Sequence, residues 1–246
     1  MRAFGIIGYP LDHSFSQKHF TEKFQREEIK DCTYENYPLR NINELESLLK
    51  QHPQLKGLNV TIPYKQSVLS FLDDSSNIPF GLNACNCIRI VDDKLVGYNT
   101  DVIGFERSLS SQLSDHHTNA LILGNGGAAE AVKFVLKNLN INYRIVSRKI
   151  HKDAELTYAD LDETIIKGSP LIINTTPVGT FPDMDQCPDI PYQYLTSQHY
   201  LYDLVYNPEK TLFLKKGEEH GAAIKNGYEM LVVQAEESWD IWNIAN

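Results

Sequence analysis

Nowhere does this sequence run apolar for the roughly 20 residues that a membrane-crossing helix needs. Its start, Met1-Arg2-Ala3-Phe4-Gly5-Ile6-Ile7-Gly8, is interrupted by glycine well short of a signal-peptide core, so no export segment is expected and a cytoplasmic setting is. Cysteine is scarce. Cys32, Cys85, Cys87 and Cys187 are too few for a disulfide scaffold, and Cys85-x-Cys87 lacks the spacing of C-x-x-C zinc or redox pairs, which fits reduced thiols and no metal site. Positive charge is also short: 23 Lys plus Arg against 32 Asp plus Glu leave a net charge of −9, so no long-range field draws in nucleic acid. Any anionic ligand must be held by local devices, such as a helix N-terminus or a placed arginine. Internal repeats and low-complexity tracts are absent as well.

What remains is an ordinary globular composition, 42% hydrophobic and 22% charged over 246 residues, enough chain for one large or two small domains. Short β-branched or apolar runs alternate with longer segments of helical period, which predicts an α/β fold with parallel strands. Strands are expected at 3–7, 34–37 and 57–62, with Pro63 unable to extend the last, and helices at 16–28 and 43–50. Cys87–Val91 and Lys94–Tyr98 flank Asp92-Asp93 as a hairpin. After a helix over 102–112, the polar run 114–119 marks a change of domain. Further strands are expected at 120–123, 143–146, Leu171–Asn174 and Tyr200–Asp203, with helices from about 131 to 139, over 211–220 and over Tyr228–Trp242. Between Arg148 and Leu171 the pattern reads as a strand at 154–157 and a short helix at 158–166.

Gly124-Asn125-Gly126-Gly127-Ala128-Ala129 follows a strand and opens a helix, so G-x-G-x-x-A stands in the context that dinucleotide binding requires. The first glycine makes the tight turn, the second admits the pyrophosphate, and a small third residue lets helix and sheet touch. Helix N-terminal amides then receive phosphate. The next strand ends in Ser147-Arg148-Lys149, where an NAD-selective site offers a carboxylate to the ribose; two cations there suit the extra phosphate of NADP. Asn174-Thr175-Thr176-Pro177-Val178-Gly179 ends another strand at the same edge, beside the place of the nicotinamide half.

In Asn59-Val60-Thr61-Ile62-Pro63-Tyr64-Lys65 a lysine stands just past a strand end. Lone lysines are mostly solvated, yet a ketone that accepts hydride needs a proton donor, and an ammonium beside a carboxylate can serve. Asp101, in Asn99-Thr100-Asp101, offers that carboxylate, although Thr100 or Asp101 could simply cap a helix. Ser14 and Ser16 place hydroxyls beside the first strand's end, suited to a small carboxylate, with a plain N-cap as the alternative for Ser16. Asn86 sits between two cysteines before a strand, and Gln234 lies near the apolar face of the last helix, where a buried amide needs partners.

Taken in order, His13-Ser14-x-Ser16, Asn59-Val60-Thr61-x-Pro63-x-Lys65, Asn86, Asn99-Thr100-Asp101, the glycine turn, Asn174 to Gly179, Tyr202-Asp203 with Tyr206-Asn207-Pro208, and Met230-Leu231-Val232-x-Gln234 resemble the shikimate dehydrogenase family along nearly the whole chain. The resemblance implies two α/β domains: a substrate domain at 1–101 with 227–246 and a Rossmann-like NADP-binding domain at 102–226, with the active site in the cleft between them. It implies NADP(H)-dependent interconversion of 3-dehydroshikimate and shikimate in the shikimate pathway, towards chorismate and the aromatic amino acids. Ser14 and Ser16 would hold the substrate carboxylate; Thr61, Asn86 and Gln234, with Lys65 and Asp101, its hydroxyls and reacting oxygen. Lys65 and Asp101 would form the catalytic pair, Lys65 as acid in reduction and base in oxidation. The cofactor would be held by Gly124, Asn125, Gly126, Gly127, Ala128, Ser147, Arg148, Lys149, Asn174, Thr175, Thr176, Val205 and Gly227. Members of such a family are monomers or homodimers.

The chain departs from the family pattern in the short segment after Arg148, where an additional helix is usual, in its early stop after Trp242, and at Asn125 and Tyr228-Glu229, where smaller residues are common. Three other readings are open to test. A quinate/shikimate enzyme using NAD is opposed by Ser147-Arg148-Lys149; a non-catalytic metabolite sensor would not need Lys65 and Asp101; methylenetetrahydrofolate dehydrogenase would need a pterin slot that Ser14, Ser16 and Gln234 do not suggest.

Overall fold

A computed structural model describes residues 1–11, 14–150 and 154–244. His13, quoted above in the first motif, lies outside the described residues. The chain divides into two compact units, Met1–Ile103 with Leu231–Asn246, and Gly104–Met230.

The first unit opens with β1 (Arg2–Gly8), α1 (Phe15–Arg26) and β2 (Cys32–Pro38), followed by α2 (Leu45–Gln51) and β3 (Leu55–Val60). Parallel pairing of β1 with both β2 and β3 makes each helix a crossover between neighbouring strands. Then come β4 (Asp74–Asn77), β5 (Cys87–Val91) and β6 (Lys94–Tyr98), completing a six-stranded sheet of order β2-β1-β3-β5-β6-β4. The expected hairpin is present: β5 and β6 pair antiparallel, and Asp92 and Asp93 both take positive φ, 48° and 60°. Those angles match the twist of a tight hairpin turn. The expectation of parallel strands therefore needs correction in this half, because β3 and β5 also run antiparallel. The strand expected at 57–62 stops at Val60, and β4, a short edge strand beside β6, has no apolar signal by which it could be anticipated.

Residues 101–110 form α3 (Asp101–Ser110), shorter than the expected 102–112 at its far end. The second unit contains β7 (Asn119–Leu123), α4 (Gly127–Asn138), β8 (Asn142–Ser147), β9 (Leu156–Thr157), α5 (Glu163–Lys167), β10 (Leu171–Asn174), β11 (Tyr200–Asp203), α6 (Leu212–Glu219) and β12 (Ala223–Asn226). Every pair in its sheet is parallel, and the order β12-β11-β10-β7-β8-β9 is the doubly wound arrangement in which the chain turns back past its first strand to continue on the other side. Ligands of such sheets bind where the order reverses, here at the carboxyl ends of β7 and β10.

Two sequence expectations change in this unit. The helix expected at 158–166 is a 3-10 turn, Tyr158–Asp160, and a separate α5; Leu161 is extended between them and the Asp162 side chain caps α5 by accepting from the Ile165 amide at 2.8 Å. The strand expected at 154–157 shrinks to the two residues of β9. Among the described residues no helix lies between β8 and β9.

The last helix, α7 (Tyr228–Trp242), contributes its later turns to the first unit. There Trp239 and Trp242 join Phe4, Phe20, Phe24 and Tyr34 in one aromatic core, with Trp242 stacked 4.8 Å from Phe4. The Trp242 indole donates to the Ile88 carbonyl at 2.9 Å, and a side chain at Gly57 would collide with that indole, so only glycine leaves room for it. The core of the second unit is mainly aliphatic, built by Leu121, Leu123, Val146, Ile172, Leu201 and Phe213.

Candidate active site

In the first unit, strand ends and helix starts bring Lys65 to Asp101 and Asn86 to Gln234. Residues 61–65 leave β3 in a turn tied back at both ends: the Thr61 amide donates to Ile7, and the Lys65 carbonyl accepts from the Cys85 amide at 2.7 Å. Asn99 caps α3 by accepting from the Val102 amide at 3.2 Å and donates to the Ala84 carbonyl at 2.8 Å. The cap is therefore supplied by Asn99, which leaves the Asp101 carboxylate to accept from Lys65 Nζ at 2.7 Å. Both side chains are mostly buried, 18% and 12% exposed, but each keeps a face to solvent.

Asn86 precedes β5 and is 2% exposed. Its Nδ2 donates to Thr100 Oγ1 at 3.0 Å and to Gln234 Oε1 at 3.3 Å. Gln234, on α7, in turn donates to the Leu231 carbonyl. On α1 the N-cap is Ser14, which accepts from the Gln17 amide at 3.4 Å, and not Ser16, which is buried in the first turn. Asn86 and Gln234 are joined directly, as are Lys65 and Asp101, and the Thr100 backbone links Asn86 to Asp101; Thr61 is tied through its backbone to Ile7 and Tyr64, and no side-chain bond joins it to Lys65. Cys85 and Cys87 flank Asn86 as neutral thiols, since burial pushes Cys85 up to about 11 and raises Cys87 as well.

In the second unit, Gly124 has φ of +102°, and a Cβ there would sit 2.7 Å from Thr176 and 3.0 Å from Thr175. The first glycine of the turn is thus demanded by both backbone angle and close approach to the loop after β10. Side chains added at Gly126 or Gly127 would meet nothing within 4 Å, and no side chain caps the twelve-residue α4 at Gly126. An uncapped helix N-terminus facing open space fits a pyrophosphate. Gly124 donates to the Val146 carbonyl, placing the turn beside Ser147, Arg148 and Lys149 at the end of β8, where Arg148 and Lys149 are exposed and the Ser147 hydroxyl donates to the Lys149 carbonyl. Asn125 Oδ1 is buried without a hydrogen-bond partner.

Across the reversal point, Asn174 donates to Asp203 at 2.9 Å and accepts from the amide and hydroxyl of Thr176. Thr175 fastens to the Leu123 carbonyl, and Gly227 donates to Val205 at 3.2 Å. All these cofactor candidates therefore stand at the carboxyl edge of the parallel sheet.

Sequence reading assigned no role to Asp203, which holds that edge. It is fully buried and accepts from Asn174, the Val205 amide at 3.0 Å and the Thr211 hydroxyl at 2.6 Å. These donors favour the charged form, but desolvation dominates and raises the carboxyl from 3.8 to about 6. A native carboxyl that holds its proton more tightly than the unfolded chain lowers stability as pH rises between those values. By this linkage Asp203 removes about 3 kcal/mol across the window. A carbon-13 carboxyl titration should find its midpoint near pH 6. In urea unfolding, Asp203→Asn should lack this fall, so its deficit against the natural chain shrinks from pH 4 to pH 7, by about 3 kcal/mol at most. A constant deficit would show that the carboxyl does not titrate there.

The parallel sheet with its glycine turn, and the paired ammonium and carboxylate beside buried amides, define a two-unit α/β protein of the dinucleotide-dependent dehydrogenase class. Comparison with known proteins makes this specific. Residues 6–88 match the shikimate dehydrogenase substrate binding domain. The chain is 38% identical to the shikimate dehydrogenase (NADP(+)) of Clostridium beijerinckii over 256 residues, covering 98% of this chain and 92% of that protein. It is 35% identical to that of Methanococcus maripaludis over 258 residues, covering 97% and 90%. The crystal structure of the Thermus thermophilus shikimate 5-dehydrogenase in complex with NADP(H) and shikimate superposes with a TM-score of 0.85, at 26% identity, covering 99% and 94%. The chain belongs to the shikimate dehydrogenase family. No helix among the described residues is long and apolar enough to cross a membrane.

Proposed function

We propose that this chain catalyses the reversible, NADP-dependent reduction of 3-dehydroshikimate to shikimate, with Lys65 and Asp101 as its catalytic pair. The observation that carries this reading is the 2.7 Å contact between Lys65 Nζ and Asp101 Oδ2, mostly sheltered yet open on one face. NADPH, when bound, supplies the hydride. The protein supplies the rest. Lys65 donates a proton to the oxygen that becomes a hydroxyl and takes it back in the oxidation; Asp101, as acceptor, holds the ammonium in one place for that transfer.

A polyhydroxy acid needs several partners. Ser14 and Ser16 at the start of α1 take its carboxylate, while Thr61, Asn86 and Gln234 take its hydroxyls. In the second unit, the turn from Gly124 through Ala128 takes the pyrophosphate, Ser147, Arg148 and Lys149 the extra phosphate, and Asn174, Thr175, Thr176, Val205 and Gly227 the nicotinamide end. The open space beside Gly126 and Gly127 supports the first of these. We place the enzyme in the cytoplasm, as a monomer or homodimer.

The test is near-ultraviolet absorbance of the purified protein with shikimate and either NADP or NAD, repeated with quinate. Rapid reduction of NADP with shikimate is expected. Binding of shikimate by calorimetry without turnover under any pairing would instead make the chain a metabolite sensor.

A further inference from the structure

Behind the substrate groups lies a buried run of polar side chains that the reaction above does not use. Ser238 is fully buried on α7, one turn beyond Gln234. Its hydroxyl donates to the Gln234 carbonyl at 2.8 Å and accepts from Asn59 Nδ2 at 2.9 Å. Thr100 Oγ1 lies 3.3 Å from Ser238 Oγ, and because the one Ser238 proton is already committed, Thr100 is the donor of that pair. Thr100 Oγ1 in turn accepts from Asn86 Nδ2. On the other side, Asn59 Oδ1 accepts from the Tyr34 phenol at 2.8 Å. One continuous chain of hydrogen bonds thus runs from Tyr34 through Asn59, Ser238 and Thr100 to Asn86 and Gln234.

Backbone groups fix which way each amide faces. Asn86 Oδ1 accepts from the Thr100 amide at 2.6 Å, and Gln234 Nε2 donates to the Leu231 carbonyl at 3.1 Å. Asn59 Nδ2 faces the Asn86 carbonyl at 3.4 Å, so turning that amide over would set two oxygens against each other. Asn86 therefore has both amide hydrogens engaged. The bond to Gln234, 3.3 Å against 3.0 Å to Thr100, is the weaker one and the one a substrate oxygen would replace.

We infer that Ser238 and Tyr34 are positioning residues for substrate binding: through Asn59 and Thr100 they brace the Asn86 and Gln234 side chains, whose facing the backbone fixes, without touching the substrate themselves. The inference rests on Asn86 and Gln234 being substrate groups, as proposed above. Tyr34 is stacked 4.5 Å from Phe20 inside the core, so its ring packs as phenylalanine would and only its oxygen has a polar task. A buried network of this kind acts as a unit, because removing one member leaves its neighbours free to rotate.

The experiment is steady-state kinetics with shikimate and NADP, with calorimetric Kd for shikimate alongside, on Ser238→Ala, Tyr34→Phe and the double variant. Each single change should raise KM and Kd for shikimate about ten-fold, lower kcat less than about three-fold, and leave KM for NADP within about two-fold. Because Tyr34 acts on Thr100 and Asn86 through Asn59 and Ser238, the double variant should lose no more than about twice the larger single loss, whereas independent effects would multiply. Ser238→Thr, which restores the hydroxyl, should recover most of the affinity. A lowered Tm with KM and Kd for shikimate unmoved in both single variants would make these residues merely structural and overturn the inference, as would multiplying effects. Should Ser238→Ala fail to fold, Tyr34→Phe decides alone. If the natural chain binds shikimate without turning it over, the functional reading falls and the Kd values still decide the positioning role; if it binds none, both fall.

Discussion

Lys65→Ala is expected to lower kcat about 10³-fold in both directions while NADPH affinity stays within about two-fold, since a placed proton donor contributes roughly 10² to 10⁴. The change removes the group that delivers the proton, and Asp101 cannot replace it, because an ionised carboxylate only accepts. Fold stability should suffer little. The pair keeps 18% and 12% of its side-chain surface exposed, so water can solvate the Asp101 carboxylate once its partner is gone. Kinetics with saturating shikimate and NADP, paired with NADPH titration by fluorescence, separate the two effects. A loss below about ten-fold in kcat, or equal losses in cofactor binding and turnover, would remove Lys65 from the chemistry.

Arg148→Ala is expected to weaken NADPH about 30-fold and NADH less than about two-fold, because only the former carries the phosphate that a guanidinium can grip through two parallel bonds. Arg148 follows β8 on the exposed surface beside the glycine turn, and the chain as a whole carries a net charge of −9. Local cations must therefore overcome an unfavourable surrounding field. Exposed charges are screened, so the difference between the two cofactors should shrink as salt rises from about 0.05 M to about 0.5 M. Equilibrium titrations of both cofactors at each salt concentration measure this. Equal losses for NADPH and NADH would sink the claim.

Where chemistry and local pattern coincide, the sequence was readable. Asp92-Asp93 separates two apolar runs, and β5 and β6 have the expected bounds. The glycine turn follows β7 and opens α4, as G-x-G-x-x-A requires. Elements without an apolar rhythm escaped: β4 is Asp-Ser-Ser-Asn, held by pairing with β6 alone, and β12 is a half-buried edge strand. In 158–166, Leu161, Ile165 and Ile166 keep helical spacing, but the Asp162 side chain starts a new helix in mid-pattern. Of the candidate site, Lys65 and Asp101 could be named from their motifs, and their contact spans 36 residues. The buried support could not. Tyr34 meets Asn59 across 25 residues and Asn59 meets Ser238 across 179, and no local spacing encodes such pairs. Only the position of Ser238, one helical turn after Gln234, hinted at a shared face.

The core shared by Phe4, Phe20, Trp239 and Trp242 also dictates an order of birth. The first unit is assembled from two separated stretches of chain, whereas the second is contiguous from Gly104 to Met230. As the chain leaves the ribosome, residues 1–103 emerge without the two tryptophans that fill their interior, and the Gly57 surface stands open where an indole belongs. The second unit can close on itself as soon as β12 is made. Residues 1–103 must wait for the fifteen-residue α7, so the stretch made before the second unit is completed after it.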